Sequence, residues 1–271
     1  MNYFRAAYLK NEISERSLEL SAVAIELNPA NYTAWYFRRL CLFALRDRTS
    51  LKDEFSFVSK CAANTPKNYQ IWFHRRMIVE KTGDPSLELA ETRRVLLGDA
   101  KNYHAWSHRQ WALKTFDLWK GEMKFVDELI QEDPRNNSAW NQRWFVVHNA
   151  NPVVTPEIRA REMAFALKHM SALISNECPY AYLRGLLKGH TFSAFPIVRK
   201  TVESLRSREN DCAPLLALHA DILVEAGRLE RAREIYKRLA EEVDTIRRKY
   251  WRYLESECMS NEPVRRKDGE E

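Results

Sequence analysis

Two short stretches of the chain carry residues that could hold an anion. Lys67, Tyr69 and Gln70 lie in one, Tyr103 and His104 in the other. All five sit at or just before the expected start of a helix, where free backbone N–H groups and the helix dipole favour negative charge. Lys67 has counterparts in Lys101 and Arg135, so from the residues alone a surface charge that recurs with the repeat is the favoured reading. Tyr69 and Tyr103 recur with Tyr32, which leaves packing open for both.

Other chemistries find less in the sequence. His104 and His108 are spaced i, i+4 and share a helix face, but Ala105 follows His104, so no HExxH pattern forms and no third ligand stands out. No metal site is therefore expected in this chain. There is no GxGxxG, no GxxxxGK[ST], and no Ser/His/Asp constellation that spacing supports. The five cysteines, Cys41, Cys61, Cys178, Cys212 and Cys258, are odd in number and lack CxxC spacing. They read as reduced, mostly buried thiols. The net charge of +6, from 43 Lys+Arg against 37 Asp+Glu, is spread along the chain, with dense basic runs only at Arg247–Lys249 and Arg265–Lys267. That pattern points away from nucleic acid and fits an anionic small ligand or an acidic protein surface.

The elements that position these residues are helices. Only 7 of 271 residues are glycine, too few for the turns of a β sandwich or barrel. No apolar run approaches the ~20 residues of a membrane span, and the first ten residues lack the features of a signal peptide. A cytoplasmic location is expected.

The main sequence feature is a repeat. Four segments align without gaps: Pro29-Ala-Asn-Tyr-Thr-Ala-Trp35-Tyr-Phe-Arg38, Pro66-Lys-Asn-Tyr-Gln-Ile-Trp72-Phe-His-Arg75, Ala100-Lys-Asn-Tyr-His-Ala-Trp106-Ser-His-Arg109 and Pro134-Arg-Asn-Asn-Ser-Ala-Trp140-Asn-Gln-Arg143. A degenerate fifth, Asn176 to Arg184, puts Tyr180 in the tryptophan place. The tryptophans are 37, 34 and 34 residues apart, the length of one helical hairpin in a solenoid. Asn31, Asn68, Asn102 and Asn136 are expected N-caps. Trp and Arg at i, i+3 share a face, and the Arg head should reach a carboxylate or a helix C-terminus. His74 and His108 should pack beside this stripe.

The partner helices are expected at Glu15–Leu27, Ser50–Ala63, Leu87–Leu97, Trp119–Gln131 and Ile158–Ile174. Pro214–Ala226, Leu229–Val243 and a last helix over about Asp244–Glu257 follow. The expected fold is all-α, a right-handed α–α superhelix of hairpins over residues 1–259, with a charged flexible tail at 260–271.

These repeats resemble the prenyltransferase α-subunit repeat, and specifically the α subunit shared by protein farnesyltransferase and type I protein geranylgeranyltransferase. The opening Asn2-Tyr-Phe-Arg-Ala and the late Asp244-Thr-Ile-Arg-Arg-Lys-Tyr-Trp-Arg-Tyr253 fit the same family, so the resemblance runs from about residue 2 to 256. It implies a crescent wrapped around a β subunit, the pair transferring a farnesyl or geranylgeranyl group from its diphosphate to the cysteine of a C-terminal CaaX sequence, as in small GTPases. It implies Mg2+ with the prenyl diphosphate, and catalytic Zn2+ bound by β rather than by this chain. Lys67 matches the family lysine that contacts the diphosphate, and with it the catalytic role. Tyr69, Tyr103 and His104 match residues lining the same region, and Gln70 matches the glutamine that bonds the peptide carboxylate.

The family carries an ordered stretch ahead of the position where this chain opens, and loss of that stretch would leave the first hairpin with an uncapped apolar face. Two other functions remain beside this one: the α subunit of the Rab geranylgeranyltransferase, whose chains carry extra domains, and a tetratricopeptide-like peptide-binding scaffold, whose WxLGxxY signature is absent here.

Overall fold

The structure, a computed structural model, describes residues 1–45, 51–207 and 211–260. The described residues hold fifteen α-helices and no strand. They fall into two units, one up to residue 123 and the other from residue 124.

The first unit begins with α1 (Asn2–Leu9), α2 (Glu15–Leu27) and α3 (Tyr32–Ala44). It continues through α4 (Leu51–Asn64), α5 (Tyr69–Thr82), α6 (Glu88–Gly98) and α7 (Tyr103–Phe116). Helices pair as hairpins, α2 with α3, α4 with α5 and α6 with α7. Phe4 and Tyr8 of α1 meet Phe37 edge-on at 6.0 and 5.5 Å, so α1 covers part of the first hairpin.

Next come α8 (Glu122–Glu132), α9 (Asn137–Asn149), α10 (Pro156–Ala172) and α11 (Glu177–Leu186). The chain closes with α12 (Pro196–Arg206), α13 (Ala213–Glu225), α14 (Leu229–Arg238) and α15 (Arg248–Ser260). In the second unit α10 packs on α11, α13 on α14 and α14 on α15.

The repeat consensus explains the hairpins. Each consensus asparagine caps the helix after it: the Asn31 and Asn102 carboxamides accept from the N–H of Ala34 and Ala105, and that of Asn68 from Gln70. Each indole N–H then donates to the carbonyl six residues upstream. Trp35 reaches Pro29, Trp72 Pro66, Trp106 Ala100 and Trp140 Pro134, all at 2.8–2.9 Å. The ring thereby folds the incoming turn back over its own helix.

The arginine of each repeat is buried and pairs with a glutamate of the next helix, in a two-nitrogen fork for the first three and through Nε alone for Arg143, whose Nη1 turns to Asp127. Arg38 meets Glu54, Arg75 meets Glu88, Arg109 meets Glu122 and Arg143 meets Glu162. The following repeat adds a second donor to the same carboxylate. His74 lies 2.7 Å from Glu54, His108 2.5 Å from Glu88 and the Tyr182 hydroxyl 2.8 Å from Glu162. Burial holds the His74 and His108 pKa values below the ordinary one despite these carboxylates. Neutral rings therefore donate through Nε2–H. Burial would raise the Glu54 and Glu88 pKa values, but the His and Arg donors outweigh it and both are lowered. A buried charge held by three or more donors meets the condition for tolerating burial at all.

Two helix expectations need correction. Leu229–Val243 is not one α-helix: α14 stops at Arg238, and Leu239–Val243 is a π-helical turn. A 3₁₀ turn, Thr245–Arg247, then delays α15 to Arg248. In the fifth repeat the arginine place, three residues after Tyr180, is held by fully buried Leu183. Arg184 is one place late and turns to Asp221, at 2.6 Å. Between α11 and α13 the chain forms α12, whose Val198, Val202 and Leu205 are buried at helical spacing. The tail at 261–271 lies outside the described residues.

Candidate functional site

The turn Thr65–Asn68 leads into α5, and the turn Asp99–Asn102 leads into α7. One atom joins them. The Pro66 carbonyl accepts from the Trp72 indole of its own repeat at 2.9 Å and from the Asn102 carboxamide of the next at 3.3 Å. Asn102 is buried and spends its oxygen on capping α7. The backbone immediately before Lys67 is therefore held from both repeats.

On this base the expected residues come together. Tyr69 and Gln70 open α5, and Tyr103 and His104 open α7. The Tyr69 and His104 rings meet edge-on at 4.4 Å, and those of Tyr103 and His104 at 5.6 Å. Burial holds the His104 pKa below the ordinary value, so the ring is neutral at neutral pH. The Lys67 side chain is three-quarters exposed, and its ammonium lies 3.2 Å from a carboxylate oxygen of Asp99. Gln70 is half-buried in the first turn of α5.

Packing does not account for the tyrosines. Tyr69 and Tyr103 are 67% and 68% exposed. Tyr32 is 71% exposed as well, so outward tyrosines belong to the repeat. What distinguishes the second and third repeats is the histidine set between two of them.

His104 and His108 do not converge as a metal pair. His108 is turned into the core against Glu88 and the Trp72 ring, while His104 faces Tyr69 and Tyr103. His74 likewise packs on Trp35, at 4.8 Å, as its repeat position implied.

Two residues escaped the sequence reading. Asp99 has a visible signature, since Asn28 and Asp133 stand in the same place of their repeats and accept from the backbone two residues on, as Asp99 does. Asn102 has none beyond its capping role, because its second bond runs to a residue 36 positions away.

Chemically, the two junctions offer an ammonium, two phenols and a neutral imidazole beside two helix N-termini. This is an all-helical repeat protein whose successive hairpin turns gather these groups beside helix N-termini. The pattern described as the protein prenyltransferase alpha subunit repeat matches residues 14–45, 51–82, 85–116 and 119–150. The protein farnesyltransferase/geranylgeranyltransferase type-1 subunit alpha of Dictyostelium discoideum is 43% identical over 263 residues, covering 93% of this chain and 82% of its own. That of Pisum sativum is 38% identical, covering 94% and 84%. The structure of Candida albicans protein geranylgeranyltransferase-I complexed with GGPP superposes with a TM-score of 0.86 at 27% identity, over 94% of this chain and 88% of the other. The chain belongs to the family of protein farnesyltransferase/geranylgeranyltransferase type-1 alpha subunits.

Proposed function

We propose that this chain is the α subunit of a heterodimeric CaaX protein prenyltransferase, and that its two joined junctions bind the diphosphate of the prenyl donor. The observation that carries the site is the gathering of Lys67, Tyr69, Tyr103 and His104 at adjoining helix starts pinned through Pro66.

As the allylic C–O bond of the donor breaks, negative charge grows on the leaving diphosphate. A fixed ammonium there stabilises the transition state more than the ground state, which assigns Lys67 its catalytic role. The Tyr69 and Tyr103 hydroxyls donate to phosphate oxygens. Neutral His104 orients Tyr69 and adds a donor without adding charge. Gln70, one residue further along α5, takes the carboxylate of the peptide substrate.

The junction offers mainly donors, and its one carboxylate, Asp99, already faces Lys67. That set fits phosphate oxygens and would leave Mg2+ held by the diphosphate itself. Magnesium, when bound, supplies further positive charge to the leaving group. The zinc belongs to the β subunit. No helix among the described residues is long and apolar enough to cross a membrane, and the cytoplasm is the proposed place of action.

The test is co-expression with a farnesyltransferase β subunit, followed by assay of farnesyl transfer to a CaaX peptide. A stable 1:1 complex that turns over, and loses turnover on Lys67→Ala while staying assembled, is the expected result. A Lys67→Ala complex that turns over like the parent would overturn the role of Lys67. Failure to pair with any prenyltransferase β subunit would overturn the functional reading.

A further inference from the structure

We propose that Asp99 is a positioning residue for Lys67: a built-in counter-ion that holds the ammonium over the junction and competes with the anionic ligand for it. This rests on the reading of Lys67 as a diphosphate contact.

Three observations support it. The Lys67 ammonium lies 3.2 Å from Asp99 Oδ2, reaching from the end of one hairpin turn to the start of the next. The other oxygen, Oδ1, accepts the Lys101 N–H at 3.2 Å, so the carboxylate is anchored by its own turn and is not a free side chain. The backbone on both sides is pinned, at Lys67 through the Pro66 carbonyl and at Asp99 through its carbonyl, which accepts the Asn102 N–H at 3.0 Å. Lys67 is long and largely exposed, and holding such a side chain in one place costs rotamer entropy. A fixed carboxylate meets that cost before the ligand arrives.

The same carboxylate repels a diphosphate. It therefore weakens binding of the substrate and, more strongly, of the released product, which carries more charge. An ammonium shared in this way can attract the leaving group without trapping it.

The repeat supplies a clean probe. In the first repeat Asn28 stands in the place of Asp99 and accepts the Ala30 N–H at 3.1 Å. Asp99→Asn thus keeps the turn and removes only the charge. In the purified complex with a β subunit, the affinity for inorganic diphosphate is read by competition against the prenyl donor. Asp99→Asn is expected to tighten it by about threefold or more, the scale of a partly exposed ion pair. The tightening should shrink in a Lys67→Ala background, where only the direct repulsion is relieved. Turnover should fall at saturating donor, as product leaves more slowly. Unchanged or weaker diphosphate affinity in Asp99→Asn, with Lys67→Ala still weakening it, would overturn the counter-ion role alone. If Lys67→Ala leaves diphosphate affinity untouched, the underlying reading of Lys67 fails instead.

Discussion

The hydroxyl of Tyr180 donates to the carbonyl of Ile174 at 2.9 Å, six residues upstream, where the indoles of the four earlier repeats find theirs. The degenerate repeat has changed its ring and kept its bond. Tyr180→Phe leaves the ring's burial intact and removes the donor. It should lower stability by about 1 kcal/mol, read as a shift in urea midpoint at unchanged slope.

The glutamates shared between repeats should be the most sensitive charged positions. Glu88→Ala leaves Arg75 buried without its fork and His108 without its acceptor. A loss of about 3–5 kcal/mol is expected in chemical denaturation. Glu80→Ala breaks the exposed pair with Arg76, at 2.8 Å, and should cost under about 1 kcal/mol.

Acid should weaken the fold in two stages. His74 and His108 have lowered folded-state pKa values. Below about pH 6.5 the unfolded chain takes up protons that the folded one refuses, so stability falls as pH drops through that window. Glu54 and Glu88 also have lowered values, and their contribution is present above the ordinary carboxylate range and lost below it. Gln142 holds the place of these histidines in the fourth repeat, so His74→Gln is a natural probe. It should flatten the first stage of the melting temperature against pH. An unchanged slope between pH 7 and 5 would mean that His74 titrates alike in the folded and unfolded chain and overturn this assignment.

Lys67 and Gln70 should separate kinetically. Lys67→Ala is expected to lower kcat/KM for the prenyl donor by about tenfold to a hundredfold. Gln70→Ala should raise KM for the CaaX peptide and leave that for the donor near its original value. Steady-state kinetics varying each substrate in turn decides this.

The repeat made the hairpins legible. The α2 helix lies on its expected residues, Glu15–Leu27, and the consensus asparagines cap as anticipated. The arginine heads were expected to find a carboxylate or a helix end, and they found carboxylates. Which ones was harder to see, because Arg38, Arg75 and Arg143 reach forward by 16, 13 and 19 residues. The π turn at Leu239–Val243 was hidden because Leu229, Ala232, Tyr236, Leu239 and Ala240 keep a helical spacing through it. At the candidate site the loop residues could be read off, but the tie between the junctions could not. It depends on a carbonyl, and every residue has one.

Glu88 answers to Arg75 on one side and His108 on the other, and this constrains how such a chain can change in length. Arg75 precedes Glu88 by 13 residues, and Arg109 precedes Glu122 by the same 13. A deletion of 34 residues between Arg75 and Glu122 would bring those two to the same offset and leave the motif intact. A deletion that left an offset unlike the 13, 16 and 19 residues found in this chain would strand a guanidinium in the interior. Only a few lengths therefore preserve the buried pairing, and the others would be culled by the folding of the product.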